Sequence, residues 1–189
     1  MLHPNHYTKR EITIGMDEIG RQALRITIPV ILIFIVLFFI FWPEMFNLKS
    51  FRNAFPDNPF IVIGIVLGGI ILHELLHGIT WALSCKEGFR AVHFGIWLKV
   101  LTPYCHCKQP LKKSHYMAGG LMPGVLLGIF PLIIALFMGN MGFLLVGIFF
   151  TFAAGGDFAI IWKLRKENSS SLLLDHPNKL GCYLYEKKE

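Results

Sequence analysis

"IILHELLHGIT", residues 70–80, lies inside a long apolar run and sets His73, Glu74 and His77 within five residues of one another. So apolar a segment reads as a membrane-spanning helix, where an ionisable side chain left alone costs on the order of 3 kcal/mol. Such side chains face a bundle interior or a wet cavity and have partners there. On a helix, His73 and His77 are about 6 Å apart along the axis and share a face, a bite suited to one metal ion. Glu74, about 100° further round, is placed to take a proton from water rather than to bind the metal.

The surrounding sequence agrees with a membrane setting. Of 189 residues, 54% are hydrophobic and 16% charged, and the mean hydropathy is +0.55. Four hydrophobic spans are predicted, at about 26–42, 60–83, 116–138 and 141–162. Each reaches the roughly 17 residues that cross a hydrocarbon core as a helix, the form that satisfies its own backbone groups. The length suits a single membrane-embedded domain over 1–189, with an arm at 1–25, a four-helix core at 26–164 and a tail at 165–189. The first span has no small-x-small site after it, so it is expected to stay as an anchor.

Lys and Arg set the expected orientation. The arm has four, the first loop two, the central loop six, the 139–140 connection none and the stretch after the fourth span, from Lys163 on, six, which accounts for all 18. That alternation puts both termini and the central loop in the cytoplasm of a multi-pass membrane protein. It also explains the net charge of +6 without a nucleic-acid partner. The four cysteines, Cys85, Cys105, Cys107 and Cys182, fall on that reducing side, where a disulfide framework is not expected. In the central loop, Val92, Phe94, Ile96, Leu98 and Val100 alternate with His93, Gly95, Trp97 and Lys99, the period of a strand. The expected fold is therefore an all-α membrane protein, four transmembrane helices with a short β-ribbon in the cytoplasmic loop between helices 2 and 3.

Tyr116 apart, the spans hold four ionisable side chains: His73, Glu74, His77 and Asp157. A zinc hydrolase needs a third protein ligand and an open fourth position for water. The extended motif with a third histidine fails, because Thr80 and Leu83 occupy its marked positions. Asp157 is the candidate. With 1.5 Å of rise per residue, it falls about 24 Å into the fourth span, and the histidines fall about 20–26 Å into the second. Cys105, His106 and Cys107 with Cys85 are a second conceivable ligand set, but their spacing is tighter than a C-x2-C knuckle and they read as ribbon residues. In the third span, Gly120, Gly124 and Gly128 form a small-residue packing stripe, and Pro123 opens the backbone ladder.

The pattern resembles intramembrane zinc proteases of the site-2 type, in His73-Glu74-x-x-His77, the ribbon near 91–107, Ala118-Gly119-Gly120-Leu121 and Gly156-Asp157. It departs from them in having Pro123 where those proteins have an asparagine, and Gly-Asp-Phe for Leu-Asp-Gly. It is more closely similar to a bacterial family known as "putative zincin peptidase", through Tyr104-x-His106, Pro110-Leu111, Pro123-Gly124, Gly156-Asp157 and Asp175-His176-Pro177. The expected activity is that of an intramembrane zinc metalloprotease. One Zn2+ is held by His73, His77 and Asp157, Glu74 is the general base, and the substrate is a peptide or membrane protein met in the lipid bilayer. The alternative is a metal-binding membrane protein without hydrolysis, as a sensor, transporter or inactive adaptor.

Overall fold

The protein is described by a computed structural model over residues 6–97 and 102–188. Long helices follow the apolar runs: α1 (Met16–Phe41), α3 (Pro59–Ala82), α4 (Lys113–Pro123), α5 (Phe130–Met138), α6 (Met141–Ala153) and α7 (Gly155–Leu164), with a short α2 (Leu48–Arg52). Three helical stretches are long and apolar enough to cross a membrane: Met16–Phe41, Pro59–Ala82 and Lys113–Met138. A fourth exists if α6 and α7 count together, for they are bent by 50° at Ala154. The predicted fourth span is thus two helices, broken where Ala153-Ala154-Gly155-Gly156 supplies almost no side chain to hold the axis straight. A Cβ on Gly155 would lie 2.9 Å from that of Ala23, so α1 crosses the break where no side chain stands in the way.

Between α4 and α5 the helix widens into a π turn at Gly124–Ile129. Pro123, immediately before it, has no N–H to give to the preceding turn. At Gly139 the chain turns back with φ +62°, a left-handed conformation that glycine adopts without strain. Asn140 then starts α6, its Oδ1 accepting from Phe143 N at 3.1 Å.

The ribbon is present. β2 (Val92–Trp97) pairs antiparallel with β3 (Thr102–Cys107), Val92 opposite Cys107 and Trp97 opposite Thr102. Leu98, Lys99 and Val100 lie outside the described residues. A second sheet was not expected. β1 (Tyr7–Thr13), β4 (Leu111–Lys112), β5 (Leu172–Asp175) and β6 (Gly181–Lys187) form it in the order β1-β6-β5-β4, all antiparallel. The arm and the tail are therefore paired strands, and the fold is mostly helical with small sheets rather than all-α.

Two compact units divide the chain. One comprises the described residues of Met1–Ile19, Glu74–Met122 and Ile160–Glu189, the other Gly20–His73 and Pro123–Ala159. The first has a core of Trp81, Cys107, Leu111, Tyr116, Leu164, Leu173, Cys182 and Leu184. Lys113 is buried there and donates from Nζ to the carbonyls of Arg165 (3.1 Å) and Glu167 (2.5 Å), closing the end of α7. The second unit is centred on Phe38, Leu132, Ala135, Met141 and Leu144.

Candidate metal centre

His73 and His77 project from successive turns of α3, and Asp157 from the first turn of α7, immediately after the break. A carboxylate there is favoured by the unpaired N–H groups that open a helix. His73 Nε2 lies 3.2 Å from Asp157 Oδ2. One ligand atom from each of His73, His77 and Asp157 can be chosen so that all lie within 4.8 Å of one another, and no second such cluster of three occurs among the described residues. Two ligands of one tetrahedral zinc, at about 2.0–2.1 Å from the metal, stand about 3.3 Å apart. The imidazole–carboxylate spacing is that of a hydrogen bond, and it is also close to what two ligands of one ion would show. Two imidazoles and one carboxylate are also a donor set that zinc accepts. The residues fit the metal.

The tautomer of His77 follows from its neighbour. Its Nδ1 is 2.8 Å from the carbonyl oxygen of Gly119, which can only accept, so Nδ1 carries the proton and Nε2 is the atom for a metal. That carbonyl belongs to the residue four before Pro123. In an uninterrupted helix residue 123 would donate to it, and proline cannot. The imidazole takes the place of the missing backbone donor. The imidazole also stacks on Trp81, with ring centroids 5.3 Å apart and planes 17° from parallel. The indole occupies the space where a Cβ on Gly119 would be, 2.1 Å from Trp81 Nε1, so glycine is required for this approach.

Glu74 follows His73 on α3 and is half-buried. The thiol of Cys105, at the ribbon, is pushed up by burial and further by the carboxylate of Glu74. All four cysteines are free thiols. Burial pushes Cys107 and Cys182 up to about 12, and Cys85 rises for the same reason. Cys85 Sγ and Cys107 Sγ lie 3.5 Å apart as a pair of neutral thiols. His106 Nδ1 lies 3.9 Å from Asp175 Oδ2, and His176 bonds to Tyr183 through Nε2 (3.1 Å). Neither joins the trio.

The trio had been legible. The ring beneath His77 had not, although its signal was present: Trp81 stands four residues after His77, on the face His73 and His77 share.

A helical chain with membrane-length apolar segments and a converging His–His–carboxylate trio built on H-E-x-x-H has the makings of a zincin. Residues 66–172 match the family described as "Putative zincin peptidase", more than half of the chain, and the protein belongs to that family. No curated protein and no solved structure matches the chain.

Proposed function

We propose that this protein is an intramembrane zinc metalloprotease. His73, His77 and Asp157 hold one zinc ion, and Glu74 is the general base. The observation that carries this reading is the convergence of three ligand atoms within 4.8 Å, beside the glutamate of the same motif. A zinc ion bound there polarises a peptide carbonyl and makes water a better nucleophile at neutral pH. The Glu74 carboxylate takes a proton from the attacking water and passes it to the nitrogen of the departing amine. The Gly119 carbonyl and the Trp81 ring keep the His77 imidazole in one orientation throughout.

The sheet supports four crossings. Strands hydrogen-bonded to one another lie on one side of any bilayer. Between β1 and β4 come α1 and α3; between β4 and β5 come Lys113–Met138 and the bent pair α6–α7. An even number of crossings in each interval favours a bent pair that crosses as well. Lys9, Arg10, Lys112 and Lys179 on or beside these strands favour the cytoplasmic side, with a membrane-embedded or membrane-adjacent protein as the substrate.

The test uses detergent-purified protein, its zinc content measured beside its cleavage of fluorescently labelled casein. Glu74→Gln is expected to retain about one zinc per chain and to lose cleavage by about 100–10,000-fold. Cleavage at the wild-type rate in that variant would remove Glu74 from the chemistry. Zinc in both proteins with cleavage in neither would favour the sensor or adaptor reading.

A further inference from the structure

We propose that Asp175, beyond the stretch that matches the family, is a positioning residue for the metal ligand His77, acting through Tyr116 and Trp81. The proposal rests on the metal-site reading above. Its evidence is a continuous set of directional contacts within one unit of the fold. The Trp81 indole, stacked on His77, is held in turn by Tyr116. Trp81 Nε1 donates to the Tyr116 carbonyl at 3.1 Å, and the two rings stack with centroids 5.6 Å apart and planes 23° from parallel. The Tyr116 hydroxyl donates to Asp175 Oδ1 at 2.5 Å. Asp175 Oδ2 accepts the backbone N–H of Cys107 at 2.7 Å. The carboxylate at the end of β5 therefore ties α4 to the ribbon and fixes the phenol on which the indole rests.

A carboxylate is a costly choice for this place. Its neighbours in the core are Leu173, Cys182 and Leu184, and it is itself buried. Burial without full hydrogen bonding would cost several kcal/mol, and burial raises its pKa despite the bonds it accepts. Packing alone would be served by an apolar residue. Two donors, a phenol and a peptide N–H, converge here from different segments, and a carboxylate accepts both. An asparagine has one acceptor oxygen, so with the peptide N–H held it would have to donate to the phenol and reverse that bond. Groups that orient the ligands of a metal without touching it commonly change affinity 10–100-fold when altered.

The experiment measures Zn2+ affinity of the full chain in detergent by competition with a chromophoric chelator, and the visible absorption bands of bound Co2+. Asp175→Asn and Tyr116→Phe are the variants, the second keeping the ring stack while deleting the hydroxyl. Tyr183→Phe is the control, since it removes a hydroxyl from the same sheet outside the contact set. The first two are expected to weaken zinc about 10–100-fold and to shift the cobalt bands, with the control at wild-type values. Should Asp175→Asn fail to fold, Tyr116→Phe alone decides. Wild-type affinity and bands in the folded variants would overturn the role, as would an equal loss in Tyr183→Phe, which marks a general loosening of the sheet. A wild-type protein that binds neither ion would instead fail at the metal site itself.

Discussion

The two cores are built from different chemistry. The core around Leu132 holds Phe38, Ala135, Met141 and Leu144, packed by Phe34, Phe46 and Ile148, with one indole N–H spent on the Leu136 carbonyl (2.9 Å). The core around Trp81 holds a phenol, buried thiols and a carboxylate beside its leucines. Apolar packing has no preferred direction and serves where helices need only stay together. Hydrogen-bonding groups carry a desolvation cost and repay it in orientation, and they gather where an imidazole has to face one way.

The largest expected effect separates the cores by stability. Leu132→Ala, at a fully buried site, should lower unfolding stability by about 2–5 kcal/mol, read from thermal unfolding in detergent, while zinc affinity of the folded fraction stays at the wild-type value. A parallel loss of zinc would erase the distinction between them. Alkali should act on the thiol-bearing core. Cys107 and Cys182 have a folded pKa of about 12 against an ordinary 9.0, so their contribution is complete below pH 9 and is lost as pH rises towards 12. The loss should be on the order of 1 kcal/mol per thiol per pH unit in that window. A Cys107→Ala, Cys182→Ala double variant should lose less of its midpoint than the wild type between pH 8 and pH 10, the part that remains coming from Cys85 and Cys105; identical profiles would contradict this. The smallest effect tests the proline. Pro123→Ala returns a backbone donor to Gly119 O in competition with His77. Zinc affinity should fall several-fold, about the 1 kcal/mol of one hydrogen bond, with unfolding stability equal or higher. Unchanged affinity would mean the imidazole does not depend on that vacancy in the helix.

Much of this was readable in advance because it is local. Unbroken apolar runs mark helices, i,i+4 spacing puts the histidines on one face, and Asp157 stands out as the remaining ionisable residue of the spans. The ribbon followed from a period of two. What could not be read joins distant segments. Tyr7 pairs with Lys187, and Leu111 with Leu173, and neither segment alone is long or apolar enough to announce a strand. The break at Ala154 was not foreseen, since 141–162 reads as one apolar run, and its 50° angle depends on what packs there. Asp175 entered only as part of Asp175-His176-Pro177, and its contacts were hidden because the two donors it accepts come from residues 107 and 116.

The antiparallel partner of β1 is synthesised last of all the described strands, so during translation that first strand stands as a naked ladder of N–H and C=O groups, a template for aggregation. Lys9, Arg10 and Glu11 in its middle act as sentinels that discourage neighbouring chains from docking. Once β6 arrives the same side chains become clasps: Lys9 settles 3.4 Å above the Tyr183 ring, Arg10 pairs with Glu167, and Glu11 with Lys179.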